Sequence, residues 1–379
     1  MPGNIFTKIK NLFTPQAASG DVSDVAIFSG GEAYWYTFKP IIEELIRRER
    51  PFHYMTLDKN DPALHIASEF MTSRYLGSGI MGFAKLSFCR AKILLATTPN
   101  IGTKGYPVIR PPHVQCLAHV FHCVGDISFY RKGSLDYYDA ALMVGDFALD
   151  SIRRVEALRA LPAKECVSVG LPYLDVLQAK AGQYNHSSPP GRAPVLLIAP
   201  SWGEKGFLSV YGTDFLRELA AMDFTMIIRP HPQSLKSEKK IVADLENALC
   251  GFDHVSFDFT VDGGPSMAQA DVLISDSSSI RFDFAFIHER PVITLDIPER
   301  NLDKYERSVL KTRWESDLER EIGPMLTIAD KPELSAKLKH LLTDISRFTP
   351  QSIASTRDAY ISHFGQASTA ICDWIDGKL

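Results

Sequence analysis

The sequence predicts an α/β protein of two doubly wound domains that face each other across a cleft. Three observations predict it: a length of 379 residues, short apolar runs alternating with longer amphipathic segments, and one polar break near the middle. A chain of this length can bury two cores of ordinary size. With 45% hydrophobic and 23% charged residues the composition is that of a soluble globular protein. The net charge of −4 gives no global attraction to nucleic acid or anionic lipid, so any anion site must be local.

In the first half the expected strands are DVAIFS (24–29), FHYMTL (52–57), KILLAT (92–97), VQCLAHV (114–120), AALMVG (140–145) and CVSVG (166–170). In the second they are PVLLIAP (194–200), FTMIIRP (224–230), HVSFDF (254–259), DVLISD (271–276) and PVITLD (291–296). Between the two sets, AGQYNHSSPPGRAP (181–194) is rich in Gly, Pro and Ser and reads as a linker. The expected division is an N-terminal segment (1–20), a first domain (21–185) and a second (190–379) whose last helix packs back on the first. Ligands of such folds bind beyond the carboxyl ends of the strands, here in the interdomain cleft.

The opening residues MPGNIFTKIKNLF place Ile5, Phe6, Ile9, Leu12 and Phe13 at helical spacing beside Lys8 and Lys10. They fit a terminal helix docked on its own domain, a frayed end, or a weak interfacial anchor. No apolar stretch is long enough for a bilayer and no signal peptide is evident, so the expected location is cytoplasmic, with peripheral contact at the inner membrane face as the further option. The six cysteines form no C-x-x-C pair and read as reduced thiols. No metal-ligand cluster is visible, and neither metal nor cofactor is expected.

Three stretches could carry chemistry. In MIIRPHPQS (226–234) a strand ends at Arg229, and prolines on both sides restrain His231, a small cationic site suited to a pyrophosphate. In DVLISDSSSIRFDF (271–284) a strand delivers Asp276, Ser277, Ser278 and Ser279 to a helix start, where unpaired backbone N–H groups and the helix dipole attract anions. Ordinary capping needs one such residue, not four in succession. Within that helix Asp283 reads as a partner of Arg281 or a local cap. In LAHVFHCVGD (117–126) two histidines end a strand, and either could take a proton from an incoming hydroxyl, His122 before His119. Gly30, Gly31 and Glu32 after the first strand, together with His119 and Asp126, are candidates to line the acceptor side of the cleft. The turn GLPYLDV (170–176) reads as another candidate wall of the cleft. There is no G-x-x-x-x-G-K-[ST], G-x-S-x-G or H-E-x-x-H, which disfavours P-loop, α/β-hydrolase and zincin chemistry.

VGLPYLDVL, LLIAPSW, RPHP and ADVLISDSSSIRFDFAFIHERPVI, in that order, resemble the CDP-glycerol glycerophosphotransferase family, the teichoic acid primases and polymerases of GT-B fold. Its members carry a G-x-P-x-x-D-x-L turn, an APTW-like strand, an R-x-H-P loop and an S/T-D-Y-S-S segment ending in D-F. The resemblance implies transfer of glycerol phosphate, or a related polyol phosphate, from a CDP-activated donor to a hydroxyl of a glycan or lipid-linked acceptor, with release of CMP. It implies that Arg229 and His231 contact the donor pyrophosphate and that Ser278 and Ser279, with Ser277 beside them, bind phosphate. Trp202 and Asp276 become candidate nucleotide contacts. The family's base lies in a W-H-G motif, whose nearest counterpart is VFHCVGD, making His122 the candidate base. The chain departs from the pattern at Phe121 and Cys123, in lacking the lysine that usually follows, and at Ser277 in place of Tyr. Two other readings remain: a GT-B glycosyltransferase using a nucleotide sugar, and a non-catalytic protein that binds nucleotide or polymer and assembles a surface-polysaccharide complex.

Overall fold

The computed structural model describes residues 22–184, 192–222, 224–260, 262–297, 303–310, 314–327, 330 and 333–379; the N-terminal segment 1–20 and residues 185–191 of the linker lie outside them. The first sheet comprises β1 (Ser23–Ser29), β2 (Phe52–Thr56), β3 (Met71–Tyr75), β4 (Arg90–Ala96), β5 (His113–Val120), β6 (Ala140–Met143) and β7 (Glu165–Ser168). The second comprises β8 (Val195–Ile198), β9 (Thr225–Ile228), β10 (Val255–Phe257), β11 (Val272–Ser275), β12 (Val292–Leu295) and β13 (Met325–Leu326). Their orders are β3-β2-β1-β4-β5-β6-β7 and β10-β9-β8-β11-β12-β13, so both sheets reverse direction beside their first strand. Pairing is parallel, with Ile27 facing Tyr54 on one side and Leu95 on the other.

The central strands read as continuous apolar runs because both faces are covered. On β1, Ala26 and Phe28 enter one core while Val25 and Ile27 enter another beneath the helix Trp35–Arg47. The first of these cores is continuous between the domains, bringing Leu171 and Leu174 of the first together with Phe282, Phe284 and Phe286 of the second. Both strands the sequence did not predict, β3 and β13, are sheet edges. MTSRY in β3 is mostly exposed and has no apolar run, and β13 is two residues long.

After the helix Pro350–Tyr360 the chain returns to the first domain. A Cβ on Gly145 would lie 1.9 Å from the Tyr360 carbonyl oxygen, and one on Gly170 (φ +87°) 2.2 Å from that of Ser362, so both glycines admit this backbone. The Asp175 carboxylate then accepts the Gly365 and Ala367 amides at 2.9 and 2.8 Å, opening the final helix Ala367–Asp376. Ile371, Cys372, Trp374 and Ile375 of that helix enter the core beneath Trp35–Arg47. The turn GLPYLDV is thus largely a seat for the C-terminal segment, although Tyr173 in it faces the cleft.

Candidate active site

In each sheet the loops diverge at the strand C-terminal edge where the order reverses, between β1 and β4 and between β8 and β11, and this opens a crevice. In the first domain the turn after β1 is tight. A Cβ on Gly30 would stand 3.0 Å from the Tyr34 ring, and one on Gly31 (φ +136°) 3.0 Å from the Asp58 side chain, whose carboxylate accepts the Glu32 amide at 3.3 Å. The turn fixes Tyr34, which meets His122 edge-on with ring centroids 5.2 Å apart.

His122 follows β5. Its Nδ1 is buried and has no hydrogen-bond partner among the described residues. Burial lowers its pKa, so the ring is neutral near neutral pH. A neutral imidazole with an unpaired nitrogen is chemically fit to take a proton. The two first-domain polar residues placed near it by sequence behave differently. His119 is fully buried, bonded through Nε2 to the Tyr130 hydroxyl at 2.9 Å and enclosed by the rings of Phe121, Tyr130 and Tyr138. Burial, with His122 adding to it, pushes its pKa down to about 3, so it is a core histidine rather than a reserve base. Asp126 caps the turn Ile127–Phe129, accepting the Ser128 amide at 2.8 Å and the hydroxyls of Ser128 and Ser151. It is buried scaffolding and does not line the cleft.

In the second domain His231 leaves the end of β9 with Nδ1 accepting the Gln233 amide at 3.0 Å. The proton of the neutral ring therefore sits on Nε2, a donor. Trp202, 40% exposed, lies beside it with ring centroids 6.2 Å apart. Arg229 is not a bare cation: it pairs with Asp258 at 2.6 Å and lies against Gly263, where a Cβ would be 2.8 Å from Nε. Ser277 and Ser279 are exposed and Ser278 is half-buried at the start of the helix Ile280–His288, which has no side-chain cap. Asp276 is a correction to the sequence reading. It is fully buried, and its oxygens accept the Ser201 amide (2.9 Å), the Ser201 hydroxyl (2.5 Å) and the Phe207 amide (2.9 Å). It ties the end of β11 to the loop after β8, so it holds the crevice open from below and is not free to contact a nucleotide.

Sequence reasoning missed the role of Asp283. Residues 281 and 283 are two apart on a helix and project in different directions, which rules out the expected pair. Arg281, fully buried, bonds instead to Glu315 at 2.9 Å and to Glu319, and its Nε donates to the Ser278 carbonyl at 2.9 Å. Asp283 faces the other domain. Its Oδ2 accepts the Tyr173 hydroxyl at 3.2 Å, while its Oδ1 is buried with no partner among the described residues. Burial pushes this carboxyl up to about 7. The Cys123 thiol, next to His122, is itself raised to about 12 by burial and secondarily by Asp283. The His122 loop and the serine-led helix therefore meet across the cleft through Tyr173, Asp283 and Cys123.

The raised Asp283 pKa has a stability consequence. Between the unfolded value near 4 and about 7 the folded chain keeps a proton that the unfolded chain has lost, so stability falls as pH rises through that window. Asp283→Asn is expected to gain on the wild type from pH 4 to 7, levelling at roughly 2 kcal/mol because relaxation relieves part of the desolvation. Denaturant melts at several pH values measure it, and a difference that is flat with pH would refute it.

Among the described residues no three His, Cys, Asp or Glu side chains converge as metal ligands. No helix there is long and apolar enough to cross a membrane.

None of the curated protein sequences matches the chain. Solved structures share its fold. The wall teichoic acid polymerase TagF aligns with a TM-score of 0.57 and 16% identity, covering 93% of this chain and 88% of that one; a further TagF structure, of a variant soaked with CDPG, aligns with a TM-score of 0.57 and 17% identity over the same shares. UDP-GlcNAc 2-epimerase from Neisseria meningitidis bound to UDP-GlcNAc aligns with a TM-score of 0.57 and 11% identity, covering 93% of this chain and 100% of that one. At such identities the likeness is one of fold, two Rossmann-like domains in the GT-B arrangement. The family description CDP-glycerol:poly(glycerophosphate) glycerophosphotransferase matches residues 150–375, more than half of the chain, including the seat for the C-terminal segment, the RPHP loop and the serine turn. The chain belongs to this family of transferases.

Proposed function

We propose that the protein transfers glycerol phosphate, or a related polyol phosphate, from a CDP-activated donor to a hydroxyl of a glycan or lipid-linked acceptor, releasing CMP, in the synthesis of a cell-surface polymer. One observation carries this reading: a neutral, buried His122 has an unpaired ring nitrogen, and the residue beside it, Cys123, feels the charge of Asp283 on the serine-led helix of the second domain. Family membership and the CDPG-soaked TagF structure support the donor class.

In the proposed step His122 accepts the proton of the acceptor hydroxyl. The acceptor oxygen bonds to the distal phosphorus of the donor, the bridging P–O bond breaks, and its electron pair leaves on CMP. His231 Nε2–H, the Ser278 and Ser279 hydroxyls and the Ile280 amide hold the pyrophosphate oxygens, the Arg281 and Phe282 amides already donating to the Ser278 and Ser279 carbonyls. Arg229 adds charge while Asp258 fixes its plane. Trp202 offers a flat apolar surface beside His231 for the base or ribose. A proton kept on Asp283 below neutral pH reduces the negative charge that would repel the phosphates. No protein-held metal is invoked, and activity is expected to survive chelation. The reading places the enzyme in the cytoplasm, working at the inner membrane face.

A thermal-shift series with CDP-glycerol, CDP-ribitol, CMP, UDP and nucleotide sugars tests the donor. CDP-polyols and CMP are expected to stabilise the fold by about 2.7 kcal/mol at a hundredfold excess over Kd, and His231→Ala to remove most of that gain. Stabilisation by a uridine nucleotide or CMP-sugar alone would move the protein to sugar transfer. Tight binding with no turnover of any donor would favour an assembly role.

A further inference from the structure

We propose that residues 303–310 of the second domain form a strap that positions the loop carrying His122, with Glu306 as its positioning residue. The segment follows β12 in the chain, yet it seats on the first domain. Arg131 and Tyr305 form an antiparallel bridge, flanked by the Lys132 amide donating to the Lys304 carbonyl at 3.0 Å and the Glu306 amide donating to the Tyr130 carbonyl at 2.8 Å. The Glu306 side chain is buried, 2% exposed. Its Oε1 accepts the Gly133 amide at 2.9 Å and its Oε2 pairs with Arg159 at 2.6 Å, while Arg159 also holds Asp136 at 2.7 Å. Arg307 lies over the Phe129 ring at 5.3 Å, and Leu310 enters the core shared by the two domains. A connection between a strand and a helix needs no buried acid, and burying one is costly unless partners meet it. Here Gly133 and Arg159, the partners that meet it, both belong to the first domain.

The stretch that the strap grips continues from the His122 loop. Tyr130, whose carbonyl accepts the Glu306 amide, is bonded through its hydroxyl to His119 at 2.9 Å and stacks on Phe121 with ring centroids 5.8 Å apart. Phe121 directly precedes His122, so Glu306 reaches the candidate base through Tyr130 and Phe121 and not by touching a reacting atom. The other end of the strap leads into the helix Trp314–Ile322, whose Glu315 and Glu319 hold Arg281; Arg307 of the strap also pairs with Glu315, at 3.3 Å. Arg281 Nε in turn donates to the Ser278 carbonyl at 2.9 Å. One run of contacts thereby joins the serine turn to the loop that carries the base. A misplacement of about 1 Å at a reacting group can cost a hundredfold in rate, and a base on a loop reaches such precision only when neighbouring structure holds the loop. The chemical consequence rests on the transfer reading above; the seating of the strap does not.

Contiguity alone is not coupling, so the test loosens the strap and reads His122. In the full chain Glu306→Ala is expected to lower kcat about thirtyfold with the CDP-glycerol Kd within about twofold of wild type, and Glu306→Gln, which keeps an acceptor for the Gly133 amide, to recover most of that loss. In histidine NMR, with the His122 signal assigned by its loss in His122→Ala, the His122 pKa is expected to rise toward about 6.5 in Glu306→Ala, because a loosened loop admits water. A cross-link should replace the carboxylate. Residues 131 and 305 are a pair without mutual hydrogen bonds, a geometry with Cα atoms about 4.5 Å apart and within disulfide reach. Arg131→Cys/Tyr305→Cys added to Glu306→Ala is therefore expected to regain turnover and the lowered His122 pKa when oxidised and to lose both on reduction, with oxidised and reduced wild type as controls. Melting temperatures verify folding, and if Glu306→Ala does not fold, Glu306→Gln with and without the cross-link supplies the same comparison. Three results would overturn the proposal: an unchanged His122 titration in the folded variant, donor affinity that falls as far as kcat, or a disulfide that forms and restores neither readout. Wild type that turns over no CDP-polyol would instead refute the transfer reading, and the His122 titration, which needs no substrate, would still decide on the strap.

Discussion

Replacing His122 with alanine is expected to lower turnover about 10³-fold while leaving CDP-polyol binding within about twofold of wild type. The split follows from position. His122 sits on the first-domain edge, against Tyr34, whereas every residue assigned to the pyrophosphate lies on the second. A base acts on the acceptor proton only as the new P–O bond forms, so its removal leaves the donor's ground-state contacts intact. His231→Ala should instead weaken donor binding and turnover together. The pH profile adds a second readout. Burial lowers the His122 pKa, so the acid limb of kcat/KM should fall below the usual imidazole value of about 6.5 and vanish in the variant. CMP release under saturating donor and equilibrium titration with CDP-glycerol measure the two halves. Near-normal turnover would mean that the base lies elsewhere, and His119, enclosed and pushed down to about 3, could not supply it.

The parallel α/β architecture was legible because buried parallel strands announce themselves as unbroken apolar runs. DVAIFS, KILLAT and DVLIS each appear where those runs place them. Edge strands carry no such signal: MTSRY is mostly solvated and follows no apolar pattern. Residues whose role depends on what the other domain brings were hidden for a related reason. Asp283 was visible as an acid in a helix, but its environment comes from Tyr173 and Cys123, more than a hundred residues earlier. Asp126 and Asp276 failed in the opposite direction. A short acid at the end of a strand looks the same in sequence whether it meets a ligand or a ring of backbone amides, and here both are consumed by their own domains. The family's G-x-P-x-x-D turn has a cause that sequence alone does not reveal: Gly170 makes room for the returning backbone and Asp175 caps the last helix.

Arg281→Met is expected to cost about 3–5 kcal/mol of stability at neutral pH, the range for breaking a buried ion cluster by removing one member. Arg281 is fully buried and answers two carboxylates, Glu315 and Glu319, while its Nε reaches back to the Ser278 carbonyl. Removing it leaves two buried acids of like charge, of which Glu315 keeps only the longer contact to Arg307 at 3.3 Å. Burial already raises the Glu315 pKa, with Arg281 opposing it, so the substitution raises it further. The sign of the pH dependence follows. In the variant the folded acids hold protons that the unfolded chain loses above about pH 4.5, so the deficit relative to wild type should be smaller at pH 5 than at pH 8. Adding Glu315→Gln and Glu319→Gln should recover part of the loss, because amides do not repel one another. The same guanidinium anchors the carbonyl that opens the serine turn, so wherever the variant remains folded the turn is less constrained and CDP-polyol affinity should fall as well. Denaturant melts at the two pH values and donor titration separate these effects. A cost below about 1 kcal/mol would show that the cluster contributes little to stability, and unchanged donor affinity would show that the serine turn holds its shape without Arg281.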